Sequence, residues 1–431
     1  MIKVLILSNT AWDNSNSFGS TFSNFFEGMD DVRIANIYCR SGSPNNGFDM
    51  RCFQITEKSL LKNLRNRSCP PGREVYKRGE GSDVMNAAEQ KRYDSIRKTR
   101  LMVFHWAQEL IWLIGRDKSD ELKRFIDDFD PDVIFQPIYN SFHLTRLARF
   151  IIGYTGKPAV GFIGDDLYTL KRFNLSPLFW IDRLLKRPRL KKLIKACESV
   201  FVMTGLQKRE YDGIFGINCG ILTKSADFSG EPGLKTAHEP PFVFTYTGNI
   251  YTGRYKALSA LGRALGRLKE KGIDCELRIY TLDPLTRSAE KAFALPAIKL
   301  MGGASSQEIP AIQAEADALV FADGNTLKSM GVVRHSFSTK LVDYMKAARC
   351  IVAIGPEGIA PIDHLKENGA AIVITDLNDI LPAVEKLVSS PESFGEYGMR
   401  AWECGRKNHS KSVMRKRLHD ELCRVSGKGM Q

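Results

Sequence analysis

The stretch HSFSTKLVDYM, residues 335 to 345, sets a histidine, several hydroxyls, a lysine and a carboxylate at the start of a helical pattern. At about 100° per residue, Ser336, Thr339, Lys340 and Asp343 share one face, and Phe337, Leu341, Tyr344 and Met345 share the other. The apolar face belongs to a core. The polar face has two readings. In one, Ser336 or Ser338 caps the helix by accepting from a free backbone N–H. In the other, the unpaired N–H groups and the positive dipole end hold an anion. Ser338 and Thr339 would then donate to phosphate oxygens, Lys340 would add charge, and Asp343 would accept from a ribose diol.

A second constellation is YTGNIYTGR, residues 246 to 254. Gly248 and Gly253 let backbone approach a ligand closely, and Arg254 can pair with a diphosphate. Each motif taken alone also suits ordinary turn and cap chemistry. Together, both following strands in the same half of the chain, they point to one phosphate site.

Two features of the first half could face it. In NTAWDNSNSFGSTFSNFFEGM, Gly19 and Ser20 lead from a polar loop into a helix carrying Phe22, Phe25 and Phe26. In GFIGDD, a strand delivers Asp165 and Asp166 into a loop. Such a pair can act as general base, acceptor-hydroxyl anchor or metal ligand, or can complement a helix dipole. No further ligand cluster accompanies them, so the expectation is chemistry with no metal and no cofactor, the cations stabilising any departing phosphate.

These residues need elements to hold them. Short runs rich in Val, Ile, Leu and Phe alternate with helix-length segments: IKVLIL, VRIANIY, PDVIFQPIY, PAVGFIGDD and SVFVMTG, then FVFTYTGN, CELRIYTL, IKLMGG, ALVFADG, CIVAIGP and AAIVITD. That alternation predicts parallel sheets covered on both faces. The fold expected is α/β, two doubly wound Rossmann-like domains facing across a cleft. The first would span residues 1–235, and the second, 236–409, with a helix over 410–431 packing back on the first. Ligands of such sheets bind beyond the carboxyl ends of the strands, where all the residues above fall.

Bulk properties set the limits. A length of 431 residues gives each of two domains an ample core. Net charge of +13 favours a phosphate-bearing partner without choosing its kind. Nine cysteines with no close CxxC pair read as reduced core thiols of a cytoplasmic protein. MIKVLILSNT reads as a first strand rather than a signal peptide, and no apolar run reaches spanning length. Residues 171–195 hold nine Lys or Arg against one Asp, interleaved with Leu, Phe, Trp and Ile, and 97–116 flank a Trp-bearing apolar helix with cations. Both segments suit either an anionic membrane surface or a core helix with a solvated basic face. Nucleic acid is not expected, since no recognition motif accompanies the charge. Residues 57–100 are charged and turn-rich, and read as an excursion from the first domain.

The second half resembles the nucleotide-sugar domain of GT-B glycosyltransferases, in particular the large retaining family with a Glu-x7-Glu motif of the form EGFGxxxxE. The matching run here is HSFSTKLVD, continued by YMKAARCIVAIG. The resemblance implies a transferase moving a sugar from a nucleotide diphosphate sugar, a UDP-sugar favoured, to an acceptor hydroxyl. It places Asp343 at the ribose, Ser336 to Thr339 and Arg254 at the diphosphate, and Gly19 near donor phosphates and acceptor. It favours Asp165 or Asp166 at the acceptor, either one serving as base. The departure is His335, which stands where the family has its first glutamate facing the donor sugar; that register makes it a third catalytic candidate beside Asp165 and Asp166 and leaves the retaining or inverting outcome open. The setting implied is bacterial cell-surface polysaccharide or lipid-linked glycan synthesis at the inner face of the membrane. The rivals are a nucleotide-sugar epimerase of the same fold and a non-catalytic nucleotide-sugar-binding protein.

Overall fold

The computed structural model describes residues 1–75 and 102–428. The first sheet comprises β1 (Ile2–Ser8), β2 (Val32–Tyr38), β3 (Met50–Ile55), β4 (Gly72–Val75), β5 (Val133–Pro137), β6 (Ala159–Ile163), β7 (Ser199–Val202) and β8 (Gly220–Ile221). The second comprises β9 (Phe242–Thr247), β10 (Cys275–Tyr280), β11 (Ile298–Gly302), β12 (Ala318–Ala322), β13 (Cys350–Ile354) and β14 (Ile372–Ile374). Their orders are β4-β3-β2-β1-β5-β6-β7-β8 and β11-β10-β9-β12-β13-β14. All pairs are parallel except β3 with β4. The central strands β1, β5, β9, β12 and β13 are buried almost throughout because helices cover both faces, which is why their sequences are continuous rather than alternating.

The strand order reverses between β1 and β5 in the first sheet and between β9 and β12 in the second. At such a switch point neighbouring connections leave on opposite faces and open a crevice at the carboxyl ends. The chain crosses between the sheets twice. Residues 222–241 lead to β9, and Ser410 joins the helix Glu392–His409 to the helix Lys411–Ser426. The two crossings run side by side: Ala226 N–H donates to the His409 carbonyl at 3.0 Å, and Lys411 N–H donates to the Ala226 carbonyl at 2.9 Å. The last helix buries Met414, Leu418, Leu422 and Cys423 in one cluster with Ile2, Val4, Ile6, Phe22 and Phe25 of the first domain.

The turn-rich segment from residue 57 begins as an ordered helix, Glu57–Arg65, with a reciprocal Thr56–Ser59 cap, and continues into β4. The remainder of that expected excursion, residues 76–100, lies outside the described residues. All nine cysteines are free thiols, most of them buried. Among the described residues no helix is long and apolar enough to cross a membrane.

Candidate active site

A cavity of about 570 Å³ lies between the two sheets at their carboxyl ends. From the second domain Arg254, Asn249, Asp323, Ser336, Ser338, Thr339 and Lys340 reach it, and from the first, Phe18, Thr21, Asn140, Gly164, Asp165 and Met203.

The second-domain residues of this cavity are held by local backbone chemistry. Gly248 has φ +131°, and a Cβ there would stand 2.3 Å from the Lys340 Nζ, so glycine is what gives the lysine its place. Gly253, at φ +84°, precedes the helix Arg254–Glu270. The loop between the two glycines is pinned where Ile250 N–H donates to Asp283 Oδ2 at 2.7 Å. Arg254 Nε donates to Asp323 Oδ1 at 2.8 Å and its Nη1 to Asn249 Oδ1, which fixes the guanidinium before any ligand arrives. Burial opposes the charge on Arg254, but the Asp323 carboxylate overrides it and raises the pKa. Burial likewise raises the pKa of Asp323, against the pull of Arg254.

Lys340 lies over the Tyr246 ring, 4.7 Å from its centroid. Burial, reinforced by the nearby Arg254 charge, lowers its pKa to about 8. An anion bound beside it would offset that penalty. Ser338 occupies the N-cap of the helix Thr339–Lys346, yet its side chain makes no cap hydrogen bond. The free N–H groups of the first turn and the Ser338 and Thr339 hydroxyls therefore border the same cavity as Lys340.

Across the cavity, Asp165 follows β6. Its side chain is open to the cleft but surrounded closely enough that desolvation raises its pKa, with Arg172 opposing and Asp166 adding to the rise. Asp166 is used differently. Its Oδ1 accepts from the N–H of Tyr168 at 3.1 Å, the N–H of Thr169 at 2.9 Å and the Tyr211 hydroxyl at 3.2 Å. Arg183 Nη2 sits 3.3 Å from its Oδ2. A carboxylate so bonded organises its loop rather than the reaction.

Three further expectations are corrected. His335 is 1% exposed and does not line the cavity. Its Nε2 lies 2.8 Å from Oε2 of Glu210, on the first-domain helix Gly205–Phe215. The two Arg334 Nη groups grip the same carboxylate. Hydrogen bonds from Arg334, with burial opposing, hold Glu210 down to about 2, and burial keeps His335 below its usual range. The imidazole thus ties one domain to the other. Asp343 turns to Lys224 on the crossing segment, with contacts of 3.0 and 3.1 Å, rather than to the cavity. Gly19 is buried inside the helix Ser17–Phe26, where a Cβ would meet the Asp13 carbonyl oxygen at 2.0 Å, so its role is close packing.

Motif reading missed Asn249, Asp323, Asn140, Glu210 and Lys224. Asp323 was signalled by the FADG strand end. Asn140 stands just after β5, and its side-chain carbonyl is buried with no partner among the described residues. Glu210 and Lys224 carried no signal, since their partners lie 124 and 119 positions away.

A second cavity, of about 260 Å³, adjoins Asp323 at the ends of β12, β13 and β14, lined by Gly253, Lys256, Asn325, Thr326, Gly355, Thr375 and Leu377 among others. Two parallel-sheet α/β domains with a cavity between their carboxyl ends have the GT-B arrangement. Residues 241–390, the second sheet with most of its covering helices, match the family model described as Glycosyl transferases group 1. No protein of curated function matches the chain in sequence. Solved structures share the architecture. HepE of Anabaena, in complex with UDP, aligns at TM-score 0.62 and 10% identity over 98% of this chain and 100% of its own. Sucrose-phosphate synthase of Thermosynechococcus elongatus aligns at 0.61 and 10% over all of both chains. A trehalose 6-phosphate synthase of Burkholderia multivorans aligns at 0.60 and 12% over 99% of each.

Proposed function

We propose that this protein transfers a sugar from a UDP-sugar to an acceptor hydroxyl in the synthesis of a bacterial cell-surface polysaccharide or lipid-linked glycan, working at the cytoplasmic face of the membrane. The observation carrying this reading is the convergence of Arg254, Lys340 and an uncapped helix start on one side of a cavity whose other side presents Asp165. Structures of the same fold have been solved with UDP and glucose and with glucose-6-phosphate, which favours a uridine donor and a sugar-bearing acceptor.

The nucleoside fits the smaller cavity beyond Gly253, and the diphosphate lies across Arg254, Lys340 and the Ser338–Thr339 turn. As the bond from the anomeric carbon to the diphosphate breaks, negative charge grows on the leaving oxygen, and these fixed donors stabilise it without reorganising. Asp165 anchors the acceptor hydroxyl and takes its proton as the new glycosidic bond forms, a role its raised pKa suits. Two cations and a helix start supply the charge, so neither metal nor cofactor is required. Holding the two substrates in line within a closed cleft supplies the rest.

The test is a thermal-shift and turnover panel of UDP-, GDP- and ADP-sugars run in EDTA. UDP-sugars should raise the melting temperature and be consumed on addition of a glycan acceptor. Absence of any shift with every nucleotide, or dependence of the shift on added metal, defeats the reading.

A further inference from the structure

The helix Pro177–Ile194 is turned inside out over its first turns. Its buried face carries Asp182, Arg183 and Lys186, while Leu178, Ile181, Leu184 and Leu185 are 40%, 45%, 51% and 51% exposed. The inversion is built in. Lys186 is 2% exposed, and its Nζ donates to Asp182 Oδ2 at 2.7 Å and lies 2.9 Å from His105 Nε2. Trp106 Nε1 donates to Asp182 at 3.2 Å, and Arg183 donates to the Thr169 carbonyl at 2.7 Å. The neighbouring helix Met102–Ile114 repeats the pattern: Glu109 is buried, and Leu110, Leu113 and Ile114 are 56%, 66% and 55% exposed. Scattered exposed leucines need no explanation, but two adjacent helices that bury their charges and present their apolar residues do.

Between these helices and Phe142–Thr155 lies a groove of about 740 Å³ with an apolar floor of Leu110, Leu113, Phe142 and Phe150. Its rim is cationic. Lys118 Nζ lies 5.1 Å from the Phe150 ring centre and the Arg189 guanidinium 5.0 Å from that of Phe142, with Arg149 beside them. Lys191, Lys192 and Lys195 continue the exposed charge, and the sole acid between residues 170 and 195, Asp182, is spent inside.

We propose that this face docks on an anionic lipid bilayer, the exposed Leu and Ile side chains entering the acyl region and the rim cations meeting lipid phosphates. An apolar band bordered by cations, with no exposed acid lining it among the described residues, matches both layers of such a surface, whereas water matches only the rim. The placement serves the reading of a membrane-borne acceptor and rests on it for its purpose, while its test does not use turnover.

The whole protein is mixed with vesicles of phosphatidylcholine alone or with a quarter phosphatidylglycerol, and floated on a density gradient. Recovery with the anionic vesicles should exceed that with neutral ones at least tenfold in 0.1 M salt, and fall severalfold in 0.5 M salt. Ile181→Gln with Leu184→Gln should abolish flotation. Lys191→Glu with Lys192→Glu should reduce it and its salt dependence. Both should keep the parent melting temperature and the parent thermal shift with UDP, so a failed donor reading and a failed docking surface give different results. Equal recovery with neutral and anionic vesicles overturns the proposal, as does no recovery with either. So does a dimer in analytical ultracentrifugation that the glutamine variant dissociates, because a second copy would then cover the face.

Discussion

Lys340 joins burial to function at the scale of a single residue. A lysine whose pKa is lowered to about 8 by burial and the Arg254 charge holds its proton at neutral pH and sheds it just above. A bound diphosphate favours the charged form and lifts that pKa, so binding takes up a proton above pH 8. UDP affinity should therefore be level below that pH and fall up to tenfold per pH unit above it, read by calorimetry from pH 6.5 to 9.5. Lys340→Met should weaken UDP by at least tenfold and remove the inflection. Asp165→Asn should leave UDP affinity within twofold and lower turnover by a factor of about 10² to 10⁴, the range of a general base. Turnover unchanged in Asp165→Asn would leave that side chain as an anchor only. Both residues were legible in the sequence because each ends a strand or begins a helix, where an anion or a reacting hydroxyl can be met.

At the scale of the element, the loop after β9 and the helix Thr339–Lys346 form one device. The loop supplies Arg254, and its Gly248 leaves room for the lysine carried by the helix. Adding a Cβ at Gly248 places it 2.3 Å from Nζ at a backbone angle that side chains rarely adopt. Gly248→Ala should cost about 1–3 kcal/mol of stability. It should also weaken UDP as much as Lys340→Met does, whereas Gly253→Ala, whose Cβ would meet only the Gly324 Cα at 3.4 Å, should leave Lys340 in place. Melting temperature and UDP affinity measured on both variants separate strain from lost ligand contact. The sequence showed these glycines as permissive; that Gly248 makes room for Lys340 depends on a neighbour more than ninety positions away.

Across the whole molecule, the domains are joined by contacts as specific as those of the site. Glu210 receives Arg334 and His335 from the opposite domain. Gly331 packs so closely on the first domain that its Cβ would lie 3.1 Å from the Arg172 Cα. Gly331→Leu should wedge the cleft open, raising the radius of gyration in solution scattering and lowering kcat/KM at least tenfold, with UDP affinity within threefold because the donor site lies in one domain. The Glu210 contact sets the acid limit. With its pKa lowered to about 2, its stabilisation is complete above the ordinary carboxylate pKa of 4.5 and disappears as pH falls from there toward 2. The loss of melting temperature over that window should be smaller in Glu210→Gln.

The sequence by itself determined the two α/β domains, since strand-length apolar runs between helices admit little besides covered parallel sheets. It also singled out Arg254, Ser338, Thr339 and Lys340, which line one cavity and are proposed to hold phosphate, because their pattern is local: backbone N–H groups, glycines and cations within a few positions of one another. Only the tertiary structure decided which polar residues of those motifs remain for a ligand. Asp166 is consumed by its own loop, Asp343 by Lys224 and His335 by Glu210. In the helix Pro177–Ile194 the buried Lys186 and the exposed Leu184 exchange the places their side chains would suggest. Each outcome depends on a partner brought near by folding, and pairings over such separations leave no periodic trace in the chain.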